Sequence, residues 1–289
     1  MRAIVHMLCL WGCLAGLAAA TYNPLSAEKA AELKVLSEAT PAERTLSQIL
    51  KRQQGIFEAA ATTSPADLAR NLSELASDYA TLLRENPENV VILLHYGKFL
   101  RTVGEDERAL TSFERALSID PTLAVAYQQS ALIHAENGRY QKAWPLFQTC
   151  LKQAPNIAVY QYQFGEFVQV YRDMLVEDGF LQASDVDGVM QGAFARAVML
   201  DPASQTLAWR YAQSFYDVTR PDWKAALAAW DKAAALTADP IQEPILRMHR
   251  ARCLIELGDF KAARALLDKP TPPALEKTRD DLRKRLTPA

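Results

Sequence analysis

The sequence predicts an all-α protein, a solenoid of stacked helix-turn-helix repeats. Three observations predict it. One spacing recurs in several residue types: Pro87, Pro121 and Pro155 are 34 residues apart, as are Ala109 and Ala143, Phe113 and Phe147, Gly104 and Gly138, and Gly97, Ala131 and Gly165. Self-similarity at that period is the mark of a repeat array. The residue types also suit two packed helices at each recurring position. Finally, only 11 of 289 residues are glycine and 15 proline, while 49% are hydrophobic and 23% charged. That composition argues for folded helical structure over most of the chain, as one or two domains or one elongated array.

The chain opens on a targeting pattern. Met1 and Arg2 give a short positive start, Ala3 to Leu17 is apolar without an acid, and Ala18, Ala19 and Ala20 form a small-residue cleavage site. This is the layout of a secretory signal peptide, residues 1–20, too short for a comfortable membrane span. Two alternatives stay open. Leu10 and Gly12 before Cys13 look like a lipidation site, although Trp11 is bulky for one, or the segment is an uncleaved anchor. No later stretch is apolar enough to span a bilayer. The formal charge is −2, and loss of Arg2 with the leader takes it to −3, 31 basic against 34 acidic residues. Such a balance leaves no electrostatic footprint for nucleic acid.

Residues 21–89 read as helical without a clear repeat. Thr40-Pro41 and Ser64-Pro65 each place a capping hydroxyl before a proline at the first helical position. The helix from Pro65 to about Arg84 ends at Pro87, in phase with the later repeats, and reads as the second helix of a worn repeat.

The array proper covers residues 90–269, in about five repeats. The first runs from Val90 to Leu123, with Leu93, Tyr96, Gly97, Leu100, Ala109, Phe113, Ala116 and Pro121. The second runs from Ala124 to Ile157, with Tyr127, Ala131, Ala143, Phe147, Cys150 and Pro155. Gly97, Ala131 and Gly165 lie within a first helix, where a small residue lets the neighbouring helix approach. Gly104 and Gly138 end that helix, where a left-handed backbone is needed. The closing proline cannot continue the second helix.

Three further repeats are degenerate. The third opens with Phe164-Gly165 and closes with Phe194, Ala197 and Pro202. Pro202 lies 47 residues after Pro155, so about 13 residues are inserted, near 169–187. An apolar side of Tyr171, Met174, Leu175, Phe180 and Leu181 makes this insertion either a partner-specific loop or extra helix, or an extended helix packed on its own repeat. The fourth repeat carries Tyr211, Ala212, Ala226, Trp230 and Ala233; the fifth carries Ala251, Leu254, Gly258, Phe260 and Ala263 and breaks at Pro270. Residues 270–289 form a charged capping helix and tail, since the last repeat of an array needs a polar outer face.

This pattern of small residue, aromatic and proline at a 34-residue period resembles the tetratricopeptide repeat family. The resemblance implies a right-handed superhelical α-solenoid whose first helices line a concave face. That face usually holds a peptide or a partner helix. Helix phase then places Lys98, Arg101, Gln128, Gln129, Tyr162, Glu166, Trp209, Gln213, Tyr216, Met248 and Arg252 on it. The clamp by which some members grip a C-terminal carboxylate is absent: Leu94, Lys98, Gln128, Gln129, Val159 and Tyr162 stand at its positions.

Other chemistry finds little footing. His6, His95, His134 and His249 are scattered, with no Cys-x-x-Cys pair, so neither metal nor cofactor is expected. Ser184-Asp185-Val186-Asp187-Gly188 lacks the flanking ligands of a calcium loop and reads as a helix start capped by Ser184. Cys150 and Cys253 fall in different repeats and are expected as core residues rather than a disulfide. Asn71-Leu72-Ser73 is a glycosylation sequon only in a eukaryotic source. There is no glycine-rich phosphate loop and no G-x-S-x-G.

The expectation is therefore an exported scaffold or adaptor, periplasmic, extracellular or in the cell envelope, that binds another protein or peptide and is not an enzyme. One alternative is a membrane-held assembly factor, like the lipidated repeat proteins of bacterial envelopes, with a lipid anchor at Cys13. Another is a carbohydrate-binding or enzymatic repeat protein, which would need convergent titratable groups such as Glu166.

Overall fold

The computed structural model describes residues 40–237 and 239–286. The leader, its cleavage after Ala20 and the alternative at Cys13 lie outside them. The described residues form thirteen α-helices and no strand. They divide into two compact bodies, meeting in sequence at Ala154 and Pro155.

The N-terminal body holds α1 (Pro41–Ala59), α2 (Pro65–Glu85), α3 (Val90–Thr102), α4 (Asp106–Ile119), α5 (Ala124–Glu136) and α6 (Tyr140–Gln153). Both expected caps are present. Thr40 and Glu43 close a capping box, with Glu43 N–H donating to Thr40 Oγ1 at 3.2 Å and Thr40 N–H donating to Glu43 Oε2 at 2.6 Å. Asp67 N–H donates to the Ser64 hydroxyl at 3.2 Å, and Pro65 begins α2. Each helix packs on its sequence neighbour, and α3 also touches α5, so the first helices of successive hairpins lie side by side.

Two glycine positions carry the repeat. Gly104 and Gly138 have φ of 82° and 71°, the left-handed region. They let Glu105 N–H reach back to Leu100 C=O at 2.9 Å and Arg139 N–H to His134 C=O at 2.7 Å, satisfying carbonyls at the helix ends. At Gly97 the requirement is space: a Cβ there would lie 2.5 Å from Cε1 of the fully buried Phe113.

The C-terminal body holds α7 (Ala158–Glu177), α8 (Val186–Leu200), α9 (Gln205–Ser214), α10 (Trp223–Ala235), α11 (Glu243–Glu256), α12 (Phe260–Leu267), a 3-10 turn (Pro273–Leu275) and α13 (Glu276–Lys284). Gly165 repeats the role of Gly97, with a Cβ contact to Phe194 of 2.8 Å. The insertion is resolved in favour of an extended helix. At 20 residues α7 outruns the 13 of α3 and α5. Its last turn buries Leu175 completely, while Val186 and Met190 of α8 are buried in turn. Ser184, expected as the cap of α8, instead donates to Asp185 Oδ1 at 2.8 Å; the helix begins at Val186 without a side-chain cap. At the end of the chain, Leu282 and Leu286 join Met248, Ala251, Ile255, Ala263 and Leu267 in one buried cluster. That apolar seam holds α13 in place, since its exposed side is almost wholly charged.

Candidate functional site

In the N-terminal body the first-helix face is built by α3 and α5. Arg101, in the last turn of α3, spans to α5, donating to Gln129 Oε1 at 2.8 Å and to Glu136 Oε1 at 2.6 Å. Gln129 in turn donates to Gln128 Oε1 at 2.7 Å. Three of the four sequence-predicted residues here thus form one ladder between neighbouring helices. Gln128 is buried, at 4% exposure, and reads as part of the packing, whereas Lys98 is exposed.

The face of the C-terminal body is richer. On α7, Tyr162 packs against the Phe194 ring at 6.1 Å, and burial pushes its hydroxyl up to about 12. Glu166, one turn on, accepts from Arg210 Nε of α9. Arg210 has only 8% of its side chain exposed and is fully engaged. It donates also to Gln169 and to Asp217 Oδ2, the latter at 3.0 Å, and its guanidinium lies 4.3 Å from the centre of the Phe194 ring. Burial raises the Glu166 carboxyl above its ordinary value even though Arg210 pulls the other way. Arg172, in the extended part of α7, continues the network to the Asp217 carbonyl and the Asp187 carboxylate, and Asp187 also accepts from Thr219 N–H at 2.9 Å. The extension of α7 and the start of α8 are thereby tied to the loop after α9.

Beside this network stands an aromatic cluster. Trp230 of α10 stacks on His249 of α11 with ring centres 4.1 Å apart and planes 3° from parallel. Trp209 meets Trp230 edge-on at 5.5 Å, and Tyr216 lies 6.0 Å from Trp230. The Tyr216 hydroxyl and His249 Nδ1 are 3.1 Å apart. Burial, helped by the charge of Arg252, lowers His249 to about 4, so the imidazole is neutral at pH 7. Arg252 lies over Tyr216 at 4.4 Å and near Trp223 at 5.9 Å. Of the predicted residues, Trp209, Tyr216 and Arg252 are brought into this cluster, and Gln213 lies half-buried on α9.

Arg210, Asp217, Arg172 and His249 are the functional-face residues that sequence reasoning missed. Helix phase sets Arg210 next to Trp209, but its importance depends on Glu166, 44 residues away. No local pattern shows such a pairing.

Little here suits covalent chemistry. Cys150 and Cys253 are free and buried, and burial pushes their thiols up to about 12 and about 11, so both stay protonated at neutral pH. Among the described residues, no group of three or more His, Cys, Asp or Glu could hold a metal ion.

Residues 91–123 match the tetratricopeptide repeat family. That stretch is α3, α4 and their closing turn, and the same hairpin, small residue against buried aromatic, recurs at Gly165 and Phe194. Residues 91–123 thus form a tetratricopeptide repeat, and the helical hairpins on either side repeat its architecture.

Several solved structures are similar to this one. YrrB, described as a tetratricopeptide repeat protein with an unusual peptide-binding site, is 17% identical, with 72% of this chain and 94% of that one covered, at a TM-score of 0.52. A tetratricopeptide repeat protein from Parabacteroides merdae is 16% identical over 83% of this chain and 86% of its own, at 0.47. A mutant O-GlcNAc transferase from Thermobaculum terrenum matches over 52% of this chain and 26% of its own, with 20% identity and a TM-score of 0.42. No curated protein matches the sequence. Among the described residues, no helix is long and apolar enough to cross a membrane.

Proposed function

We propose that this tetratricopeptide repeat protein is an exported scaffold or adaptor that holds a protein or peptide partner on the first-helix faces of its repeats. The observation that carries the reading is the gathering of Trp209, Tyr216, His249 and Arg252 on α9 and α11 and in the turn after α9, where aromatic rings and a guanidinium remain half-exposed. Tyr, Trp and Arg are the side chains that most often anchor an interface. The peptide-binding site named for YrrB is consistent with the same use of the fold. Export, to a periplasm, an envelope or the medium, is supported by the leader pattern of Met1 to Ala20. The reading assigns the chain no catalytic step, because the half-buried carboxylates Glu166, Asp187 and Asp217 are already committed to Arg210 and Arg172.

The test uses residues 21–289 as bait in the exported fraction of the source. Lys98→Glu and Gln213→Arg change the two faces separately, and Thr111→Arg on the exposed side of a second helix is the control. A partner lost with one face variant and kept by the control is the expected outcome. A partner held equally by all three variants would move binding off these faces. Intact mass of the secreted protein should correspond to a chain beginning at Thr21; a full-length chain confined to the cytoplasm would end the export reading.

A further inference from the structure

The first-helix face of the C-terminal body ends in a groove between α11 and α13 of about 470 Å³. That volume takes a few side chains rather than a whole helix. Its walls are apolar, from Ile245, Met248, Leu275 and Leu282, and its charges are unevenly matched. Asp281 is paired with Lys284 at 2.8 Å and Arg285 with Glu256 at 2.7 Å. Arg252, on the same wall, forms no ion pair among the described residues: the nearby acids Asp231 and Glu256 pair with Arg250 and Arg285, and the Arg252 Nε is enclosed with no hydrogen-bond acceptor. Its guanidinium instead lies over the face of Tyr216 and near that of Trp223. His249 beside it is neutral, so it neither adds to nor offsets that charge.

A cation stacked on rings and lacking an anion is a poised site. The rings hold the planar fork of the guanidinium and cost it little of its charge, while a carboxylate can accept from two of its N–H groups at once. We propose that this groove receives an acidic side chain of a partner peptide, flanked by apolar residues, and that Arg252 pairs with its carboxylate. The inference rests on the reading that the first-helix face of this body binds a peptide, and it names the chemistry of that peptide. The apolar walls take the flanking side chains, and Arg252 fixes their register.

The experiment selects a displayed library of random 12-residue peptides on residues 21–289. Enriched peptides should share an Asp or Glu with Leu, Ile, Val, Met or Phe on either side. The best of them, made synthetically, should bind Arg252→Gln about 10-fold more weakly, the scale of one charge-assisted contact. Replacing its acid by the amide should cost the same on the unaltered protein and nothing further on Arg252→Gln. The amide peptide also tests the proposal on unaltered protein should Arg252→Gln fold poorly. Enriched peptides without an acid, or acidic peptides indifferent to Arg252→Gln, overturn the proposal. If those peptides are still lost with Gln213→Arg, the face reading survives; if no peptide is enriched, the face reading falls with it.

Discussion

The two bodies use one repeat in different ways. In the N-terminal body the 34-residue period is kept, and the first-helix face is closed by a ladder of Arg101, Gln129, Gln128 and Glu136 near the surface. In the C-terminal body the period is broken by the extension of α7, and the polar groups move inside. Arg210 there is almost wholly buried among Glu166, Gln169 and Asp217, whereas the Arg101 side chain is 22% exposed and its partner Glu136 56%. The difference shows that a departure from the repeat needs its own specific pairing. A regular hairpin is held by a small residue against a ring, but a longer helix must be fastened to a loop that no other repeat possesses.

The comparison breaks first at the two arginines. Arg210→Met should cost about 2–4 kcal/mol, because it removes a buried guanidinium and leaves the half-buried Glu166 and Asp217 carboxylates without their cation. Arg101→Met should cost less than about 1 kcal/mol, as for other surface ion pairs. Denaturant melts of both variants check this; equal losses would mean the two ladders do the same work.

The second distinction is one of pH. His249 is depressed to about 4 in the folded chain, against an ordinary value near 6.5. The unfolded chain therefore binds the extra proton first as pH falls. Stability from this group is intact above about 6.5 and is lost down to about 4, by up to roughly 3 kcal/mol. The melting temperature of the unaltered protein should fall across that window more steeply than that of His249→Phe. Parallel curves would remove His249 from the account.

A third, smaller effect than those of Arg210 and His249 concerns what the bodies share. Gly97→Ala and Gly165→Ala should each cost about 1–2 kcal/mol. The new Cβ meets Phe113 or Phe194 inside van der Waals contact, and overpacking outweighs the gain of about 1 kcal/mol in helix propensity. Phe113→Leu should relieve Gly97→Ala. A stabilised Gly97→Ala would show that the ring yields, and the tight approach would then not define the repeat.

The sequence by itself determined the repeat. Gly97, Gly104, Phe113 and their counterparts act through local backbone geometry and through contacts inside one hairpin, so their spacing alone reveals them. It also determined which residues share a face of one helix, since phase follows from 3.6 residues per turn. Tertiary structure decided the rest. Whether the insertion is a loop or a longer α7 depended on the burial of Leu175 in the last turn of that helix. That Gln128 is packed and that Arg210 is enclosed followed from neighbours in other hairpins. That Arg252 is left without an anion depended on which acids in α11 and α13 had already found partners. A helical pattern specifies the direction in which a side chain leaves its own helix. Only the packed fold decides what it meets there, and for a charged group that meeting sets both its stability and its availability to a partner.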